Sequence, residues 1–190
     1  MNLPLILDKE FNKVDFTKNE LEKAEYDNCS FIDCEFSNSY LATISFIECK
    51  FINCNLSNVK VKNTTFKDTL FTECKLLGIS FSDCNPFLLS FAFNKSNLNF
   101  SSFYKCNLNK TVFDHCILEN IDFSEANLSQ AKFLDCNLSQ SVFKNCNLQQ
   151  TDFRTAYNFY INPESNSLNK AKFSKEGALN LLISYNLDIE

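Results

Sequence analysis

This 190-residue chain contains ten cysteines and one histidine, the residues most suited to metal binding or disulfide formation. Thiolates and imidazoles bind zinc, and ten cysteines in a short chain can also form a disulfide scaffold. No CxxC pair occurs, and the only histidine, His115, stands between Asp114 and Cys116 with no second imidazole available. The sequence therefore predicts no metal site and no bound cofactor.

Composition also argues against catalysis and against direct binding of nucleic acid. A glycine-rich phosphate loop needs more than the two glycines present. The formal net charge is −5, whereas a nucleic-acid-binding surface is basic. We therefore expect a non-enzymatic protein without a nucleic-acid partner.

Large apolar residues recur every five positions, and this periodicity is the dominant signal of the sequence. The first phase runs from residue 11 to 81 and the second, displaced by two residues, from 98 to 153. The centres are Phe11, Phe16, Leu21, Tyr26, Phe31, Phe36, Leu41, Phe46, Phe51, Leu56, Val61, Phe66, Phe71, Leu76 and Phe81, then Leu98, Phe103, Leu108, Phe113, Leu118, Phe123, Leu128, Phe133, Leu138, Phe143, Leu148 and Phe153. A period of five fits neither an α-helix nor a strand, so the chain must turn after each unit.

Most units also have a small or thiol-bearing residue two positions before the centre, and all ten cysteines occupy that position of their register. We therefore interpret them as reduced thiols inside a filled tube, because a buried cysteine behaves as a small hydrophobe. Most centres that lie twenty positions apart are of the same residue type, and we group them into columns. Twenty residues are four units of five, so the pattern predicts four units per coil. One such column is Phe11, Phe31, Phe51, Phe71 and Phe91, stacked at about the 4.8 Å spacing of adjacent strands.

These units resemble the A(D/N)LXX consensus of the pentapeptide-repeat family, as residues 126–130 (ANLSQ) and 136–140 (CNLSQ) illustrate. The resemblance implies an all-β fold, a right-handed quadrilateral β-helix with a short C-terminal helical cap. The layout of the chain, a rod with one interruption and a C-terminal helical segment, resembles that of the Qnr-type quinolone-resistance proteins. Members of that group bind type II DNA topoisomerases, several form dimers through the C-terminal end, and their surfaces have been interpreted as mimics of duplex DNA.

We expect three parts: an N-terminal cap segment at 1–10, the repeat rod at 11–153 and a C-terminal cap at 154–190. A register break interrupts the rod at about 82–97, where two extra residues accompany Asn85, Pro86 and Phe87. Pro86 falls on a centre position and has no N–H for the neighbouring coil. The segment is either a tolerated surface insertion or a loop that contacts a partner.

The C-terminal segment is predicted to contain a helix from Lys175, with Ser174 as its N-cap. Its apolar stripe would consist of Ala178, Leu179, Leu182 and Ile183. Such a helix covers the open end of the rod. Either it does only that, or Leu179, Leu182 and Ile183 also form the interface of a homodimer, which the resemblance favours.

Acidic residues are concentrated in the first part of the chain, where residues 1–48 hold ten Asp or Glu and four Lys. We assign Glu25, Asp27, Glu48 and Asp68 to one wall, and Asp33 and Glu73 to the next. These residues form either a solvated outer face or an acidic stripe that fits a basic DNA-binding surface.

The resulting functional hypothesis is a binding protein that contacts DNA gyrase or topoisomerase IV as a DNA mimic and protects it from quinolones. The alternative is an interaction scaffold with a different protein partner. The N-terminal residues lack the basic region of a signal peptide, and no apolar stretch approaches membrane-spanning length. We therefore expect a cytoplasmic protein that does not associate with a membrane.

Overall fold

The computed structural model describes residues 3–87 and 89–188, which form a right-handed quadrilateral β-helix with a short helical cap at its C-terminal end. The strands are β1 (Leu5–Leu7), β2 (Glu10–Asn12), β3 (Glu25–Asp27), β4 (Ser30–Ile32), β5 (Ser45–Ile47), β6 (Lys50–Ile52), β7 (Thr65–Lys67), β8 (Thr69–Thr72), β9 (Phe91–Asn94), β10 (Val112–Asp114) and β11 (Lys132–Leu134). Two walls carry parallel sheets, one in the order β1-β3-β5-β7 and the other in the order β2-β4-β6-β8-β9-β10-β11. Isolated parallel bridges, such as Glu35 with Asn55, join the coils on the remaining walls.

The predicted ladder of aromatic rings is confirmed in the first four coils. Phe31 lies over Phe11 with ring centroids 4.8 Å apart, Phe51 over Phe31 at 4.7 Å, and Phe71 over Phe51 at 5.0 Å. Stacked rings fill the tube at the same spacing as the hydrogen-bonded backbone. Adjacent coils therefore form backbone hydrogen bonds and stack their aromatic rings at the same time.

Phe91 does not continue this column, contrary to the prediction. Phe93 takes that place, with its ring 5.3 Å from Phe71. The Cα partners change from residues twenty apart to residues twenty-two apart, and Phe91 pairs with Thr69, a small inward position of the coil below. The two added residues therefore shift the register by two, and a large side chain occupies a small-residue position.

The small inward positions satisfy their polar groups against the neighbouring coil. Thr64 Oγ1 donates to the carbonyl of Leu41 at 2.7 Å, and Ser101 Oγ donates to the carbonyl of Leu76 at 2.7 Å. In the part of the chain that the structure describes, no buried side-chain nitrogen or oxygen lacks a hydrogen-bond partner. Buried Ser and Thr therefore fill this inward position without an unpaired polar atom in the described residues.

The corners of the coil require a left-handed backbone conformation. The residue two after most centres has a φ near +50° to +65°, as at Asn28, Asn53 and Asn58. Asparagine tolerates this region better than most residues, which suits it to these corners. Gly78 holds one such corner at φ +66°, and an added Cβ would lie 2.6 Å from Asn58 Oδ1, so a larger residue would force the Asn58 side chain to move and would strain the backbone.

The C-terminal cap begins as predicted, with helix α1 at Lys175–Leu179 and the Ser174 hydroxyl accepting a hydrogen bond from the Gly177 N–H at 2.9 Å. The chain then tightens into a 3-10 helix at Asn180–Tyr185. Short 3-10 helices also occur at Phe81–Asp83 and Pro163–Ser165. Phe173 stacks on Phe153 at 5.3 Å and forms the last ring of its column.

The predicted apolar stripe of this helix does not match the side chains that cover the core. Leu181 packs against the core, whereas Ala178, Leu179 and Ile183 are exposed and Leu182 is half-buried. The period changes from 3.6 to 3.0 residues per turn after Leu179, which rotates a different residue inward.

Candidate functional site: the mid-rod loop and its neighbouring columns

The loop at the register break is held at its first end by Asn85. The Asn85 N–H donates to the carbonyl of Thr64 at 2.9 Å, and its Nδ2 donates to Thr65 Oγ1 at 3.0 Å. The Asn85 side-chain oxygen accepts a hydrogen bond from the Phe87 N–H at 3.1 Å. These bonds fix the direction in which the loop leaves the wall.

The second end of the loop is held by Ser90, which joins it to Asp68. The Ser90 hydroxyl donates to Asp68 Oδ1 at 2.8 Å and accepts from the Asp68 N–H at 2.7 Å. The Ser90 N–H donates to the carbonyl of Phe66 at 2.9 Å. Of the predicted acidic residues, Asp68 is thus the one placed directly at the loop.

Between these two ends, Pro86 and Phe87 project into solvent. The Phe87 side chain is 79% exposed, the largest exposure among the described large hydrophobic residues. An aromatic side chain held in solvent by a rigid base is a typical anchor for a protein partner, because aromatic residues dominate binding energy at interfaces.

The predicted acidic residues near the loop lie on the first sheet and along its corner. Glu25 and Asp27 flank Tyr26 in β3, and the corner column reads Asp8, Asn28, Glu48, Asp68. Asn28 Nδ2 donates to Asp8 Oδ1 at 2.6 Å. Glu48 and Asp68 therefore follow one another in adjacent coils, but an amide separates them from Asp8.

Asp33 and Glu73 share the next corner column, yet they are not neighbours. Asn53 lies between them and donates through Nδ2 to Asp33 Oδ1 at 2.7 Å. In the following coil Lys95 Nζ lies 3.9 Å from Glu73 Oε1. Amide and ammonium groups therefore interrupt the acidic stripe, and the local field is weaker than that of an unbroken row of carboxylates.

The ten cysteines are free and buried, as the repeat predicted. Cys34, Cys54 and Cys74 each direct the thiol at a carbonyl of the coil below, 3.3–3.4 Å away. Burial raises the pKa of Cys49 and of Cys106 to about 12. Protonated thiols are poor nucleophiles and poor metal ligands, so these groups serve packing.

His115 lies on an exposed corner beside two carboxylates. Its Nδ1 is 2.7 Å from Asp114 Oδ1 and its Nε2 is 3.8 Å from Asp135 Oδ2. The thiol of the neighbouring Cys116 is buried in the core. Within residues 3–87 and 89–188, no three His, Cys, Asp or Glu side chains are arranged to hold a metal ion.

Some exposed aromatic residues were missed by the sequence analysis. Phe100 is 67% exposed and occupies a left-handed corner at φ +64°, and Tyr40 is also exposed. The signal was available, since Phe100 follows the centre Leu98 by two residues and most such positions are corners. These residues lie outside the loop described above.

The predicted dimer residues form a shallow apolar depression on the cap. Leu179, Leu182 and Ile183 line it together with Asn186 and Leu187, and its volume is about 260 Å³. Leu179 and Ile183 are largely exposed. The cap thus covers the rod with one side and presents apolar side chains on the other.

The family follows from the repeat geometry and a matching family model. A model of the pentapeptide repeat region matches residues 24–103, 85–153 and 112–177. The chain belongs to the pentapeptide-repeat family. Members of this family are generally non-catalytic structural or binding proteins. No curated protein sequence matches the chain.

Two solved pentapeptide-repeat proteins share the fold over nearly the whole chain. QnrB1, a plasmid-mediated fluoroquinolone resistance protein, is 17% identical with a TM-score of 0.50, covering 96% of this chain and 100% of its own. HetL, involved in heterocyst differentiation regulation in the cyanobacterium Nostoc, is 15% identical with a TM-score of 0.59, covering 92% of this chain and 88% of its own. At these identities the likeness concerns the fold.

The helices of this pentapeptide-repeat rod are short. Across the described residues, none has the length and apolar character needed to traverse a bilayer.

Proposed function

We propose that this pentapeptide-repeat protein is a non-enzymatic, cytoplasmic binding protein that contacts a type II DNA topoisomerase, DNA gyrase or topoisomerase IV, and protects it from quinolones. The observation that carries the proposal is the exposed Phe87 on a loop fixed at both ends to a rigid rod. The likeness in architecture to QnrB1 is consistent with it. The contact surface would comprise Asn85, Pro86 and Phe87.

Acidic groups beside the loop extend this surface. Asp68 lies at its base and Glu48 one coil away, with Glu25 and Asp27 on the same wall. These carboxylates would face the basic DNA-binding surface of the enzyme, which is the DNA-mimic element of the proposal. Asp33 and Glu73 would contribute less, since Asn53 and Lys95 offset them.

The purified protein should restore supercoiling by DNA gyrase in the presence of a fluoroquinolone. Phe87→Asp should raise the protein concentration needed for half protection by about tenfold or more, because it removes the central apolar anchor. A gel assay of plasmid supercoiling measures this. Phe100→Asp is the matched control, since it alters another largely exposed Phe outside the loop and should leave protection unchanged.

The absence of any effect of the wild-type protein on supercoiling at micromolar excess would refute the topoisomerase proposal. Equal loss of protection in both variants would instead refute the role of the loop.

An interaction scaffold with a different protein partner is the second candidate. The interruption of the acidic columns by Asn28, Asn53 and Lys95 favours it, because a mimic of duplex DNA needs regular rows of negative charge. Recovery of one other protein by pull-down, with no topoisomerase, would support this function.

A homodimer through the cap belongs to the same proposal, because Leu179, Leu182 and Ile183 present an apolar surface. Ile183→Asp should give monomers, since burying a carboxylate in an apolar interface is costly. Ile183 is the better choice than the half-buried Leu182, whose replacement would also disturb the cap.

Size-exclusion chromatography with light scattering at tens of micromolar measures the change in oligomeric state. Val142→Asp, on the exposed side of the rod, is the control and should remain dimeric. A wild-type monomer at that concentration would contradict the dimer.

A further inference from the structure

A basic groove runs along the C-terminal half of the rod, at the corner that leads into the wall of the second sheet. Its volume is about 500 Å³, and its first residue, Lys110, lies one coil beyond Ser90 at the end of the loop at residues 85–90. One corner column and the adjacent outward column of the second sheet's wall form its lining, which comprises Lys110, Gln130, Gln150, Lys170, Val112, Lys132, Asp152 and Lys172.

The backbone holds these side chains in fixed rows. Gln130 and Gln150 occupy left-handed corners at φ near +60°, and their N–H groups donate to the carbonyls of Gln149 and Asn169 at 2.9 Å. The neighbouring row is continuous, because Lys132 pairs with Asp152 and Asp152 with Lys172. The groove therefore exists before any ligand binds, which lowers the entropic cost of binding.

The single carboxylate of the lining is already neutralised. Asp152 is only 7% exposed, and Arg154 donates to it through Nε at 3.0 Å and through Nη2 at 2.7 Å. The Arg154 guanidinium holds the pKa of Asp152 below its usual value. Among the residues that the structure describes, no carboxylate lies within ion-pair distance of Lys110, Lys132, Lys170 or Lys172, so four positive charges face solvent on a chain of net charge −5.

From this arrangement we propose that the groove binds an extended acidic peptide segment of a partner protein. Peptide binding at this groove does not require the proposed contact with a topoisomerase. Lys110 and Lys170 are three coils apart, about 14 Å, and Lys132 and Lys172 two coils apart, about 10 Å. Alternate side chains of an extended peptide are about 7 Å apart, so three alternate carboxylates span the same length.

The lining favours a peptide over a nucleic acid. Binding of single-stranded nucleic acid relies on aromatic side chains that stack with bases, and the described lining consists of Lys, Gln, Val and Asp. The carboxamides of Gln130 and Gln150 both donate and accept hydrogen bonds, as the N–H and C=O groups of an extended peptide require.

Fluorescence anisotropy with a fluorescein-labelled (Glu-Thr)4 peptide and the full-length protein tests the groove. We expect saturable binding that weakens as salt is raised, because exposed charge pairs are screened. Reversal of two groove charges, Lys132→Glu with Lys172→Glu, should weaken binding by about tenfold or more. Lys60→Glu with Lys62→Glu makes the same change on another wall and should alter the dissociation constant by less than about twofold.

Circular dichroism verifies that both double variants keep the fold, and a (Gln-Thr)4 peptide measures binding without carboxylates. Equal binding by the two double variants, or by the two peptides, would overturn the proposal. A labelled dT12 oligonucleotide that binds as tightly as the acidic peptide and loses affinity on the same groove reversal would overturn it in favour of a nucleic-acid groove.

Discussion

Phe113→Ala should lower the free energy of unfolding by about 3–5 kcal/mol, a large fraction of the total stability of a domain. The Phe113 ring is fully buried and lies between Phe93 at 5.3 Å and Phe133 at 4.9 Å. Rings of the adjacent column, Phe103 and Phe123, contact its edge at 6.0 and 6.1 Å. Truncation leaves a cavity that the surrounding rings cannot fill, because the hydrogen-bonded coils fix their spacing.

Urea denaturation followed by far-UV circular dichroism measures this loss. Phe87→Ala is the matched control, since the same truncation at a 79% exposed position should change stability by no more than about 0.5 kcal/mol. A loss below about 1 kcal/mol for Phe113→Ala would show that the tube collapses around the cavity, and that the ring ladder is not what holds adjacent coils together.

The columns of the rod were predictable from the sequence because the length of the repeat unit and the number of units per coil determine them. A unit of five and a coil of four units place any residue over the residue twenty positions earlier. Phe31 over Phe11, and Phe46 over Tyr26 at 5.6 Å, follow directly from that rule. A fold with such local and repeated contacts leaves little for long-range packing to decide.

The rule fails where residues are added, because it assumes that every residue belongs to a coil. It placed Phe91 over Phe71, since the residues are twenty apart, whereas Phe93 occupies that place. The same limit applies to the cap, where Leu181 covers the core because an α-helical turn tightens into a 3-10 turn. Both differences arise from local changes in the backbone, the added residues and the 3-10 turn, which cannot be predicted from the spacing of apolar residues.

The acidic residues show a different kind of limit. The repeat assigns each acidic residue to a wall of the rod. Grouping the acidic residues by wall does not show which residues separate them along a column. The same rule of twenty places Asn28 between Asp8 and Glu48, and Asn53 between Asp33 and Glu73. Whether a wall is an acidic surface depends on the order of charges along each column, since amides form hydrogen bonds with carboxylates of the adjacent coil and screening limits the reach of each charge to about two coils.

Phe91→Ala should destabilise the protein by about 3 kcal/mol and should also loosen the loop at residues 85–90. Phe91 is 6% exposed and fills the corner from which the loop leaves the tube. Its ring lies 5.1 Å from Phe93, 5.4 Å from Phe81 and 6.4 Å from Phe66. The loss falls at the lower end of the range for Phe truncation because the slightly exposed Phe91 site can collapse more readily than the fully buried Phe113 site.

Hydrogen exchange locates the effect within the rod. The Ser90 N–H, which donates to the Phe66 carbonyl, and the Thr69 N–H, which donates to the Ser90 carbonyl, should exchange faster in Phe91→Ala than in Phe113→Ala relative to the global stability of each variant. Phe91→Leu should retain most protection, because a smaller apolar side chain still fills the corner at a cost below about 1.5 kcal/mol. Unchanged exchange at both amides would show that Asn85 and Asp68 hold the loop without Phe91, and that the large residue in a small-residue position serves only to fill space.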